Sequence, residues 1–130
     1  MRERKKDIGL MIAAVTIVGL FFAAVHDPGP FGMGREAGRV QTLAIREASG
    51  LIASASYPDC FWTHNDSGDG ARVFLLDSAG QLRATVYLRD IVAYDWEDID
   101  LMTVDGRHDL LVGDIGDNAG ARPFVSVHRF

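Results

Sequence analysis

Three groups of acidic residues stand out in this chain of 130 residues: Asp66 with Asp69, then Asp95, Glu97, Asp98 and Asp100, then Asp114 with Asp117. His64, Asn65 and Asn118 accompany them. Carboxylates and amide oxygens are the donors that a hard cation such as calcium takes, about six to eight at a time. "NDSGDG", residues 65–70, sets Asn65, Ser67 and Asp69 at alternate positions of a calcium loop and puts a glycine sixth. The bidentate acid of the twelfth position is missing, because Leu76 stands there. The candidate metal ligands are therefore Asp66, Asp69, Glu97, Asp98, Asp114 and Asp117, with calcium as the candidate cofactor. The candidate ligand-binding residues are Glu47, His64, Asn65, Arg72, Asn118 and Arg122. The competing reading is that these clusters are Asx-turns and solvated loops.

In "DWEDID" the alternation of a strand sends Asp95, Glu97 and Ile99 to one face and Trp96, Asp98 and Asp100 to the other. Paired carboxylates on one face bind metal or act as acid and base. Otherwise each caps a turn or pairs with an arginine. Trp62 and Trp96 read as packing residues, and His64 as a ligand or base beside Asp66 or a plain loop histidine. A nucleophilic serine has little support, since Ser67 and Ser49 lie outside any strand-to-helix elbow. No phosphate-cradling glycine loop is present.

The elements that must position these residues are short strands. "RVQTLAI", "GLIASA", "CFWTH", "RVFLLD", "RATVYL", "IDLMTV", "DLLVGD" and "FVSVHRF" are β-branched and aromatic, and Gly, Asp, Asn, Ser and Pro punctuate them. Positions 39–130 therefore read as all-β. Sliding the chain by fifty residues lays Glu47 on Glu97, Leu51 on Leu101, and "GARVF" (70–74) on "GARPF" (120–124). A period of about fifty residues with about four strands each is that of a β-propeller blade. On this spacing Gly70 and Gly120 supply turns, Arg72 and Arg122 begin the next strands, and Glu47 and Glu97 take equivalent blade positions.

"EASGL" at 47–51, "WTHNDSGD" at 62–69, "DWEDI" at 95–99 and "GDIGDN" at 113–118 also carry a resemblance. Together they resemble the start of a group of bacterial extracellular β-propeller proteins similar to phytase-like and SdiA-regulated propellers. The resemblance covers positions 39–130 and implies a propeller fold and secretion. A propeller has about four to eight blades, and the repeat accounts for about two. The expectation is an incomplete ring, completed by further sequence or by another chain.

The start of the chain is of a different kind. "MRERKK" precedes eighteen uncharged residues, Ile8–Val25, the pattern of a membrane anchor or export signal with the body outside the cytoplasm. Positions 1–25 are the anchor or signal, 26–38 a Gly/Pro-rich linker, and 39–130 the propeller fragment. The remainder after "MRERKKD" holds 9 basic and 16 acidic residues and lacks a basic stripe, which excludes nucleic acid as a partner. The lone Cys60 forms no internal disulfide and reads as a buried thiol. The functional expectation is a cell-envelope module that binds a ligand or protein partner, with a divalent cation in its acidic loops. The alternative is a metal-dependent phosphoesterase, for which only Arg72 and Arg122 stand ready to hold phosphate.

Overall fold

The computed structural model describes residues 32–130, and the expected anchor at 1–25 lies outside the described residues. Among the described residues there is no helix, so none long and apolar enough to cross a membrane. Two antiparallel meanders make the fold. The first sheet orders β1 (Ala48–Ala53), β2 (Cys60–Asn65), β3 (Arg72–Asp77) and β4 (Leu82–Tyr87), and the second β5 (Trp96–Val104), β6 (Arg107–Asp114) and β7 (Ser126–Arg129).

The punctuation residues explain where the chain turns. Asp105 and Gly106 join β5 to β6 with φ of 49° and 75°, the doubly positive backbone of a type I′ turn whose twist suits a hairpin. In the first sheet the corresponding connection between β1 and β2 runs through residues 54–59. The connection between β6 and β7 is longer than the one between β2 and β3. As a result "GARVF" enters β3 at Arg72, whereas "GARPF" stays in a loop and β7 begins only at Ser126. Pro123 has no N–H to give a ladder, which fits that placement. Arg122 therefore does not begin a strand.

"RVQTLAI" is not a strand either. Arg39 and Gln41 donate their N–H groups to the Ala79 and Gly80 carbonyls in the β3–β4 turn, and Arg46 donates to the Asn65 side chain at the far end of β2. The segment thus runs the length of the first sheet while bonding to turn and side-chain groups instead of a ladder. Cys60, expected to be buried, is half-exposed at the start of β2.

A sheet must bury its apolar face against another layer, and here the two sheets cover each other. Val73, Trp96, Ile99, Leu110 and Val112 form the buried cluster between them, and Ile52, Trp62, Leu101 and Phe130 pack against it. Each such side chain contributes about 1.5–3 kcal/mol when fully buried. The closest approach is between β1 and β5. Gly50 has a φ of +43°, and a Cβ there would lie 2.8 Å from both the backbone nitrogen and Cγ2 of Ile99. Ser49 ties the same place by donating its hydroxyl to the Glu97 carbonyl at 2.9 Å.

Bulges interrupt the first strand of each sheet at the same end, between Ala48 and Leu51 and between Trp96 and Asp98. The second bulge corrects the simple alternation expected for "DWEDID". Trp96 and Ile99, three residues apart, both face the core, while Asp98 and Asp100 pair with Gly113 and Leu111 on the outer face.

Gly50→Ala is expected to cost about 2–4 kcal/mol in urea unfolding, from left-handed strain plus overlap with Ile99. Gly68→Ala has positive φ but open space around it, and should lose only about 1 kcal/mol. Equal losses at the two sites would show that the β1–β5 approach does not demand glycine.

Candidate functional site

Each sheet closes its own start with one polar side chain from the end of its second strand. In the first sheet that residue is Asn65, 8% exposed. Its Oδ1 accepts the N–H groups of Arg46 and Glu47 at 3.0 and 3.3 Å, and its Nδ2 donates to the Ala44 carbonyl and to Asp69 Oδ2. Asp69 in turn receives Arg72 through Nε and Nη2, the latter at 2.7 Å. Burial alone would raise the Asp69 carboxyl, but Arg72, Asn65 and the Gly70 N–H outweigh it and hold it below the usual range.

In the second sheet Asp114, 1% exposed, does the same work. Its two oxygens accept the N–H groups of Tyr94 and Asp95 at 3.0 and 3.1 Å, and Arg122 donates to it from Nη1 at 2.7 Å. The same nitrogen reaches the Gly116 carbonyl, and the guanidinium lies 5.5 Å over the Tyr94 ring. Burial pushes the Asp114 carboxyl up, yet those two backbone donors and Arg122 bring it below its ordinary value. Asp117 is also lowered, by the N–H groups of Ala121 and Arg122.

The two clamps redefine which residues are equivalent. Ala48 pairs with Asn65 and Trp96 with Asp114, so the structural counterpart of Glu47 is Asp95, not Glu97. The hydrogen bond beyond each clamp matches as well, one residue later in the second sheet: Asp66, next after Asn65, donates its N–H to the Glu47 carbonyl, and Gly116, two after Asp114, donates to that of Asp95. Glu97 occupies the bulge of β5.

Three carboxylates meet where these pieces join. Asp66, leaving β2, Asp95, leading into β5, and Glu97, in its bulge, offer oxygens that all lie within 4.8 Å of one another. Gly116 backs the group. A Cβ on it would overlap the Asp95 carboxyl and come within 2.6 Å of Glu97 Oε1. Asp95 Oδ1 is shielded from solvent and meets no hydrogen-bond donor among the described residues. Burial, then the neighbouring Asp66 carboxyl and its charge, raise the Asp95 carboxyl above its ordinary value, against the pull of Arg122. Such a group is suited to sharing a proton or holding a cation.

Of the expected metal ligands, the structure brings Asp66 and Glu97 together and adds Asp95, which the sequence marked only as part of an acidic cluster. Asp69, Asp114 and Asp117 are consumed by Arg72, Arg122 and backbone donors. Asp98 lies on the outer face of the second sheet, its Oδ1 accepting the Ile99 N–H. Of the expected ligand-binding residues, Glu47, Asn65 and Arg72 line a polar recess of 90 Å³ with Arg46, Ser67 and Asp69. His64 is instead fully buried between the sheets, edge-on to Trp96 at 5.7 Å, with Nδ1 against the Asn65 carbonyl at 2.8 Å. Arg122 is committed to Asp114, and Asn118 is exposed on the β6–β7 connection.

A carboxyl whose folded value is lowered stabilises the fold above its unfolded value, about 3.9, and that stability is lost as pH falls through the folded value. Asp69, Asp114 and Asp117 all act in this sense, so stability should hold at neutral pH and fall below about pH 4. Asp114→Asn, which keeps an acceptor as Asn65 does but leaves Arg122 without its charge partner, should cost about 3 kcal/mol at pH 7. The deficit should shrink as the wild type loses its own ion pair in acid. Parallel acid limbs for the two proteins in urea titrations would show that Asp114 is not held ionised by this clamp. No family model, curated protein or solved structure matches the chain.

Proposed function

We propose that the chain is a β-propeller-type binding module of the cell envelope, and that a divalent cation held at the junction of its two sheets belongs to its binding function. The observation that carries the cation is the convergence of Asp66, Asp95 and Glu97 within 4.8 Å, while the propeller-type module of the envelope rests on the resemblance of its sequence motifs. Three carboxylates offer oxygen donors alone, which suits calcium better than a softer metal, with solvent completing the shell. Because Asp66 comes from the first sheet and the other two from the second, a bound cation would tie the sheets together and fix the neighbouring polar recess. The phosphoesterase alternative is weaker. Its two candidate phosphate-holding cations, Arg72 and Arg122, are occupied at 2.7 Å by Asp69 and Asp114.

Calcium titration of the full chain, followed by thermal unfolding, tests the reading. A cation bound only by the folded state stabilises by about 2.7 kcal/mol at a hundredfold excess over its dissociation constant. The wild-type midpoint should therefore rise with calcium and return on chelation. The double substitution Asp95→Asn with Glu97→Gln should abolish the response, whereas Asp98→Asn should keep it. An unresponsive wild type, or a response that survives the double substitution, overturns the assignment.

A further inference from the structure

We infer that the outer face of the second sheet is a docking surface for another β-meander of the same repeat, one that presents a cationic side chain to Asp98 and Asp100. Cross-strand pairs define the face: Asp98 with Gly113, Gly113 with Val127, and Asp100 with Leu111. Together with Ile115 they line an open hollow of 200 Å³. Val127 is 64% exposed and Ile115 44%, so this face carries apolar surface that its own chain leaves uncovered.

The equivalence set by the two clamps says what such a face is for. The counterparts of Asp98, Asp100, Leu111, Gly113 and Val127 are Gly50, Ile52, Trp62, His64 and Val73 in the first sheet. Those residues lie on the side that receives β5 and β6, where Ile52, Trp62 and Val73 belong to the inter-sheet core. The second sheet thus repeats the receiving face of the first, with smaller side chains at Leu111 and Gly113 in place of Trp62 and His64 and with a change of charge. Two carboxylates stand where the first sheet has glycine and isoleucine.

Those carboxylates decide the partner. Among the described residues Asp98 and Asp100 each accept only the N–H of the following residue, Ile99 or Leu101, through Oδ1. Of the other charged groups on this face, Asp109 and Arg129 are paired with each other at 2.6 Å, and Arg107 lies at the turn end of β6, opposite Val104 and four residues along the strand from the Leu111 that pairs with Asp100. A docked sheet of neutral apolar residues would bury two charges without partners, which is costly, whereas a cation opposite them restores the balance. In the first interface Ile99 sits against Gly50, so the cation belongs at the Ile99 position of the incoming meander. A second copy of this chain is a poor occupant. Its own docking side, with Trp96, Ile99 and Val112, is already buried against its first sheet.

The test extends the full chain after Phe130 with a copy of residues 81–130 in which the Ile99 equivalent is lysine, isoleucine or glutamate. Hydrogen exchange of β6 and β7 is the readout. The lysine copy is expected to slow their exchange by about tenfold or more, the isoleucine copy less, and the glutamate copy not at all. Asp98→Asn with Asp100→Asn should erase the advantage of lysine over isoleucine. The three copies share any folding defect of the added repeat, so equal exchange in all three overturns the proposal. So does protection of the same face by self-association of the unextended chain, measured by sedimentation.

Discussion

Everything in this fold hangs from one side chain at the end of the second strand of each sheet. A strand that starts from a loop leaves N–H groups without ladder partners, and burying them unpaired is costly. Asn65 and Asp114 satisfy two of these groups each, and by doing so they fix where β1 and β5 begin. Both clamps lie beside a bulge, and the bulges re-aim the residues that follow. The ladder, the close approach at Gly50 and the position of Glu97 all inherit that starting point. The two versions differ in one respect. Asn65 is neutral and recruits its arginine through Asp69, whereas Asp114 is charged and takes Arg122 directly.

The strands themselves were legible because each satisfies local rules that tertiary structure did not override. "CFWTH", "RVFLLD" and "DLLVGD" coincide with β2, β3 and β6 to within two residues. The two meanders do correspond, but Ala48 matches Trp96 and Asn65 matches Asp114, spacings of 48 and 49 residues in place of the fifty read from the sequence. What hid was register. A two-residue turn shortens one connection of the second meander and a long loop extends the next, so "GARVF" and "GARPF" stay aligned in sequence while occupying different structure. Alternation likewise failed at "DWEDID", because a bulge is a property of the pair of strands and leaves no mark in one of them. "RVQTLAI" shows the reverse error. Its β-branched residues fit a pleated surface, but no neighbouring strand edge takes its backbone.

The acidic clusters were visible as composition and misleading as ligand sets. Spacing singled out Asn65, Ser67 and Asp69 as half a calcium loop, yet Asn65 and Asp69 turn inward to serve the backbone and Arg72. Asp95 carried no signal of its own, because its importance depends on Asp66, a residue from the other sheet and distant in sequence. Gly116 is the clearest trace that the sequence did hold. It stands where the first repeat has Asp66, and the missing side chain leaves room for the Asp95 and Glu97 carboxyls.

That substitution also explains why the two sheets are not interchangeable. Asp66 reaches forward from the first repeat to the acids at the start of the second, whereas Gly116, its counterpart, contributes no carboxylate to whatever follows. Burial raises the Asp95 carboxyl, and a crowding of negative charge, mainly from Asp66 and least from the ionised Asp114, adds to it against the pull of Arg122. Crowding of this kind is relieved by a proton or by a cation, and neither relief requires the clamps to move. The fold therefore separates two uses of acidic residues. Asp69, Asp114 and Asp117 are spent on holding backbone and arginine. Asp66, Asp95 and Glu97 gather carboxylate oxygens from both sheets where these meet, with Asp66 Oδ1 also accepting the Ser67 N–H.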